Sequence, residues 1–322
     1  MAERQISFAI NRRDDSKHLI GLPVQGFAVR YPDRPQGATF FADMVTDVPW
    51  DVGELAFSHY LIARDLGVPI VALPAFQLRF LPHYGLLVHR SAGISTPRDL
   101  VGKRVGAPDW GFNPAVWLRG ILAHQYDVPL EKIIWHESAS RPLFPGLNYP
   151  HSQRYAFQEV HPPEAVRLSQ KDAYGMPLLL DRHEVDALMM AGFGAGTMNS
   201  RRLFEDPLEE ARKYVVETGV IPINTVFVVK EEAADRYPDL APAILRMLDV
   251  ASTSYEREID AGESENHGYV PVRFARDLDM YPFKQGLQHN LRAVQMMIAY
   301  CYEQGMIRRL YSPEEIFLGS CL

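Results

Sequence analysis

The stretch DVGELAFSHYLIARDLG, residues 51–67, decides the fold class. Its opening residues read as a short strand, Asp51–Gly53, and Ser58–Leu66 carries apolar residues at the i, i+3 and i+4 spacing of one helical face. Ser58 is a residue type favoured at a helix start. A strand running straight into a helix is the repeating unit of an α/β protein. Glu54–Phe57 then occupy the turn at the carboxyl end of the strand, where open α/β sheets bind their ligands. The helix N-terminus adds about 0.3–1 kcal/mol toward an anion placed there. Glu54 and His59 are thereby candidate functional residues. The plain alternative puts Glu54 in a solvated turn and His59 on a helix surface.

Working outward, the same alternation recurs. Strands are expected at Ser7–Asn11, Ile70–Ala75, Tyr84–His89, Arg104–Ala107, Ile133–Trp135, Ala187–Met190 and Thr225–Lys230. Helical stretches are expected at Pro97–Leu100, Asn113–Gln125, Glu231–Glu258 and Leu287–Glu303. Ser138–Pro163 and Ala261–Asp279 show no clean period. The first of these is expected to be an ordered loop or lid anchored by Phe144, Leu147, Tyr149, Tyr155 and Phe157.

The chain has 322 residues, enough for two domains or one large α/β unit. Its formal net charge of -7 and pI near 5.9 exclude the basic stripe of a general nucleic-acid binder. An anionic ligand must then be held by local Arg residues or helix N-termini. The only cysteines, Cys301 and Cys321, make neither a disulfide framework nor a Cys-based zinc site. The first nineteen residues lack a signal-peptide core, and no run of apolar residues reaches membrane-spanning length, so a cytoplasmic protein is expected. The histidines show neither H-x-H nor H-E-x-x-H spacing, and no metal site is expected. No full G-x-G-x-x-G, P-loop or G-x-S-x-G occurs; GFGAG at 192–196 is incomplete.

Two further segments bear on chemistry. In ALPAFQLRFLPH, residues 72–83, Arg79 lies among Phe76, Phe80 and His83. An Arg among aromatics can grip a carboxylate while apolar faces hold a ring, a pair worth roughly 1.5–3 kcal/mol when desolvated. The alternative is an Arg snorkelling past aromatic neighbours. In KRVGAPDWGFNPAVWLRGIL, residues 103–122, a strand runs into a loop bearing Trp110 and Phe112. Asn113-Pro114 then reads as N-cap and first helical residue. Such a loop suits an aromatic anion. Trp117 and Arg119, further along the helix, read as packing residues.

These pieces resemble the 4,5-dihydroxyphthalate decarboxylase family, which uses the type II periplasmic-binding-protein fold. The likeness covers most of the chain and is strongest at 51–67, 72–83, 96–122 and 279–317. At IPINTVFVV, residues 221–229, the family pattern has a His beside the Ile, whereas this chain has Asn224-Thr225. The resemblance implies an α/β protein of two lobes with a cleft between them. Lobe I would be residues 1–85 plus 226–322, and lobe II residues 86–225. It implies a carboxy-lyase of aromatic compound catabolism and phthalate degradation, turning a hydroxylated aromatic (di)carboxylate such as 4,5-dihydroxyphthalate into protocatechuate and carbon dioxide. Ipso protonation would need no cofactor. Glu54, His83 and His59 are the candidate acid–base residues. Arg12, Arg13, Ser58, Phe76, Arg79, Trp110, Phe112, Asn113 and Asn224 are the candidate substrate contacts. The expected partner is a small-molecule aromatic acid, not nucleic acid or membrane, and self-association into a homo-oligomer stays open. A solute-binding protein for an aromatic or dicarboxylic acid, or a relative from the pyrimidine-precursor and menaquinone pathways, would share the architecture.

Overall fold

A computed structural model describes residues 4–13, 16–32, 38–140, 154–167, 172–192, 197–280 and 284–321. Its strands in chain order are β1 Gln5–Ala9, β2 Ala28–Arg30, β3 Val52–Ala56, β4 Ile70–Ala72, β5 Leu86–His89, β6 Arg104–Ala107 and β7 Ile134–Ser138. They continue as β8 Ala156–Val160, β9 Ala187–Met189, β10 Ser200–Arg202, β11 Thr225–Lys230, β12 Asn266–His267 and β13 Val270–Pro271. The helices are α1 Ala38–Thr46, α2 Phe57–Asp65, α3 Asn113–Gln125, α4 Met176–Asp181, α5 Pro207–Thr218, α6 Glu231–Arg236, α7 Leu240–Asp260, α8 Val272–Asp277, α9 Leu287–Glu303 and α10 Pro313–Ile316.

The chain forms two compact units. Unit 1 holds residues 1–80, 221–298 and 309–322, and unit 2 holds 81–220 and 299–308. Unit 1 contains a sheet of order β2-β1-β3-β11-β4, in which β1 runs parallel to β2 and β3 and β11 runs antiparallel to β3 and β4. The strands β3 and β11 are central, and every residue of VGELA and of TVFVV is buried. That is the near-continuous apolar pattern of strands covered on both faces. Phe8, Phe227, Val229, Ile244 and Met247 join the core beside this sheet, to which α7 contributes one apolar face.

Unit 2 contains a sheet of order β10-β5-β9-β6-β7-β8. Its β6, β7, β8 and β9 are parallel, and β5 runs antiparallel to both β9 and β10. In α3 every residue from Asn113 to Leu122 is buried, as in a helix packed all round. Gly120 allows this, because a Cβ there would sit 2.2 Å from Cδ2 of Tyr300.

Several sequence expectations are corrected. The strand expected at Asp51–Gly53 runs instead over Val52–Ala56, so Glu54 is mid-strand, opposite Phe227, and not in a turn. Apolar cover on both faces extends the strand through a residue type that usually ends one. Ser58 does not cap α2: Ala56 is its N-cap, without a side-chain bond, and Ser58 is buried inside the helix. Likewise Asn113 is the first residue of α3, and Phe112 is the N-cap. The stretch expected as one helix over Glu231–Glu258 divides into α6 and α7 around Tyr237-Pro238. Proline disfavours the helical conformation in the residue before it.

The aperiodic Ser138–Pro163 stretch ends in strand β8, paired in parallel with β7. Phe144, Leu147 and Tyr149 lie outside the described residues, as do residues 193–196 of GFGAG. Ala261–Asp279 contains the β12–β13 hairpin and α8.

Candidate active site

In unit 1, the parallel pairing of β1 with β3 brings the end of the first strand beside Glu54. Glu54 is 1% exposed. Its Oε1 accepts from Nη2 of Arg13 at 2.5 Å, and its Oε2 accepts from Nη1 of Arg13 at 3.0 Å and from the Asn11 backbone N–H at 3.3 Å. Such a fork-to-fork pair is short, directional and stronger than a neutral hydrogen bond. Arg13, named from sequence as a grip for substrate carboxylate, therefore already holds a carboxylate of the protein. Arg12 beside it is exposed.

His59 is buried at 1% exposure and is no surface helix residue. The Phe57 ring at the start of α2 meets Phe76 and Phe317 with centroids 5.9 and 6.4 Å away. Phe76 is thus a core aromatic. The first backbone N–H of α2 donates to the Asn224 carbonyl at 2.9 Å, and the Asn224 N–H donates to Leu78 O at 2.7 Å. Asn224 itself is half-buried.

Arg79 is buried, and its guanidinium donates to Ile221 O at 2.8 Å and to Oδ1 of Asn290. Both acceptors are neutral. Burial lowers its pKa to about 10, still above neutrality, so the group stays cationic at pH 7. The snorkelling alternative fails, because Arg79 is 4% exposed.

In unit 2, every polar atom of Trp110 has a partner. Its backbone N–H donates to Oε2 of Glu137 at 3.1 Å, its indole N–H donates to Gln304 O at 3.0 Å, and its carbonyl accepts from Nη2 of Arg119. The Arg119 guanidinium lies 3.6 Å from the Trp110 ring centroid, and its Nε donates to Oε1 of Gln304 at 2.6 Å. Around the same ring stand Trp135 at 5.2 Å, Tyr155 at 5.2 Å and Phe157 at 4.6 Å. Trp110 is only 2% exposed, whereas Phe112 is half-buried. Phe112, not Trp110, is therefore the aromatic this loop presents.

His83 is fully buried, with Phe204 and Tyr214 rings 5.5 and 5.8 Å away. Burial drives its pKa down to about 4, against the opposing charge of Glu210, so its imidazole is neutral at pH 7.

Sequence reasoning missed three groups that shape these sites: Asn11, Glu137 and Gln304. It also gave Arg119 a packing role. The available signal was a single cation inside the apolar run AVWLRGIL, which is costly to bury unless bonded. Among the described residues, no set of three or more His, Cys, Asp or Glu side chains is arranged to hold a metal ion. No helix among them is long and apolar enough to cross a membrane.

Over 98% of its length this chain is 26% identical to a Comamonas testosteroni protein named 4,5-dihydroxyphthalate decarboxylase, covering 97% of that protein. The chain resembles the 4,5-dihydroxyphthalate decarboxylases. Residues 25–132 match a family described as NMT1/THI5 like. Among solved structures, the chain is similar to the periplasmic aliphatic sulphonate binding protein SsuA of Escherichia coli, with a TM-score of 0.56 and 13% identity over 98% of this chain and 92% of that one. It is also similar to the desulfurization enzyme DSZB, with a TM-score of 0.53 and 12% identity over 98% and 96%. At such identities the likeness fixes the fold, which is type II periplasmic-binding-protein-like α/β.

Proposed function

We propose that this chain is a decarboxylase of a hydroxylated aromatic (di)carboxylate, with 4,5-dihydroxyphthalate, protocatechuate and carbon dioxide as the leading substrate and products. The likeness along the whole chain to a protein of that name carries the reading. The Arg13–Glu54 pair supports it, since it supplies a buried carboxylate held in a fixed direction.

In the proposed reaction, a ring hydroxyl para to the departing carboxylate pushes electron density to the ipso carbon, which takes a proton. The bond from that carbon to the carboxylate then breaks, its electron pair restores the aromatic ring, and carbon dioxide leaves. A carboxylate has about four acceptor positions, and three N–H donors occupy Glu54. The remaining position suits a phenol O–H, so Glu54 takes the base side of the reaction. His59 is the proposed proton donor to the ring, whereas His83, neutral at pH 7, is given no acid role. In unit 1, Arg79 and Arg12 are the proposed carboxylate grips, and Ser58, Phe76 and Asn224 are proposed substrate contacts; in unit 2, Trp110, Phe112 and Asn113 are proposed as contacts for an aromatic acid. A positioned acid or base contributes about 10²–10⁴-fold to rate.

The test is carbon dioxide release from a panel of hydroxyphthalates and hydroxybenzoates, with and without chelator. Release from a para-hydroxylated member supports the reading. Tight binding of a panel member with no carbon dioxide from any would overturn it in favour of a solute-binding protein.

A further inference from the structure

We infer that Ser16 is a positioning residue for the Glu54 carboxylate, acting through the two residues that hold it. The inference rests on the decarboxylase reading for its catalytic consequence. Ser16 is fully buried. Its hydroxyl accepts from the Arg13 backbone N–H at 2.8 Å and donates to the Asn11 carbonyl at 2.5 Å. Arg13 and Asn11 are the residues whose N–H groups reach Glu54. One hydroxyl thus fixes the backbone on both sides of Arg12, and with it the direction of the Arg13 fork.

The chain beyond Ser16 is tied down as well. Leu19 N–H donates to Ser16 O at 3.0 Å, and Lys17 and His18 both meet the Glu258 carboxylate of α7, His18 at 2.5 Å. Ser16 therefore has a fixed outer anchor against which to hold Asn11 and Arg13. A buried hydroxyl bridging two backbone groups has a strong geometric effect, because losing it leaves a buried donor and a buried acceptor unmet. The effect on a bound substrate is indirect: the Glu54 oxygens lose their fixed direction, and reacting groups misplaced by about 1 Å can lose on the order of 10²-fold in rate.

The experiment compares wild type, Ser16→Ala, Ser16→Thr and Glu258→Gln as full-length proteins. One readout is the amide hydrogen exchange of Asn11, whose N–H is bonded to Glu54 and not to Ser16. The other is kcat and KM for carbon dioxide release from 4,5-dihydroxyphthalate. The expected result is Asn11 exchange faster by about tenfold or more in Ser16→Ala, with kcat lowered at nearly constant KM. Ser16→Thr, which keeps the hydroxyl, should restore both. If Ser16→Ala does not fold, Glu258→Gln should show the same effects more weakly, by releasing the outer anchor. Unchanged Asn11 exchange in Ser16→Ala, or in Glu258→Gln where only that variant folds, would overturn the inference. Faster exchange in a protein that releases no carbon dioxide from any panel acid would uphold the positioning role and remove the decarboxylase reading instead.

Discussion

Two guanidinium groups, one in each unit, are stabilised in different ways. Arg13 in unit 1 meets an ionised partner: Glu54 takes both arms of its fork, at 2.5 and 3.0 Å. Arg119 in unit 2, at 0% exposure, lies over the Trp110 ring and donates to a backbone carbonyl and a side-chain amide. The first arrangement pairs opposite charges, so a proton or an anion arriving nearby changes its balance. In the second, the ring quadrupole and the neutral dipoles of a carbonyl and an amide help to hold a buried cation and tie it to a loop. The first is built like a reactive centre and the second like a fastening.

The strongest test of that contrast is Glu54→Gln. It removes the anion and keeps the shape, and turnover should fall by about 10²–10⁴-fold while affinity for an aromatic acid changes far less. Steady-state kinetics and calorimetric binding measure the two separately. Unchanged turnover would take Glu54 out of the chemistry and leave both guanidiniums structural.

Arg119→Met should act on stability. It keeps much of the volume but loses the stack on Trp110 and the bonds to Gln304 and Trp110, at an expected cost of about 3 kcal/mol in urea unfolding. A loss near zero would show that the stack holds nothing in place, and would erase the contrast from the other side.

Acid titration probes a buried imidazole of unit 2, His83. Its folded pKa of about 4 lies below the unfolded value of 6.5, so the unfolded chain binds the extra proton. Its contribution is fully present above pH 6.5 and is lost as pH falls toward 4, by at most about 3 kcal/mol. His83→Gln should flatten that part of the pH–stability curve. Equal slopes in both proteins would show that His83 does not carry the acid sensitivity of unit 2.

The smallest effect is expected at the back of the Arg119 fastening. Gly120→Ala drives a methyl into the Tyr300 ring and should cost roughly 1–3 kcal/mol by overpacking, read as a lowered urea midpoint. Tolerance of that methyl would mean that the α3 face is loosely packed.

Much of the local structure was legible in the sequence, for identifiable reasons. Arg104–Ala107 and Thr225–Lys230 are strands with the expected limits, and Asn113–Gln125 and Leu287–Glu303 are helices with the expected limits. The helices have a sustained apolar period or a proline start signal, and the strands are short stretches bounded by polar residues or turns. The three-residue strands β2 and β10 went unread because three residues hold no period, and β8 because its AFQEV, mostly exposed, lies in a stretch without a clean period. Helix α5 was overlooked despite clear signals. Asp206 caps it by accepting from Leu208 and Glu209 N–H, Pro207 is its first residue, and Gly219 ends it at φ 67°.

The site was legible as residue types and illegible as pairings. Glu54, Arg13, His59 and Arg79 stand out by chemistry in their segments. That Arg13 belongs to Glu54 and Arg79 to Asn290 cannot be read from spacing, since 41 and 211 residues separate them.

By itself, the sequence determined the α/β class, most strand and helix positions and the set of chemically able side chains. These follow from short-range periodicity, proline and capping rules, all of which act over a few residues. Only the tertiary structure decided which charges are spent on one another. The parallel pairing of β1 with β3 placed Arg13 on Glu54, and the return of residues 299–308 to unit 2 placed Gln304 on Arg119 and Trp110. Burial made those choices binding, because a charge removed from water must find its partner wherever the fold, and not the sequence, puts one.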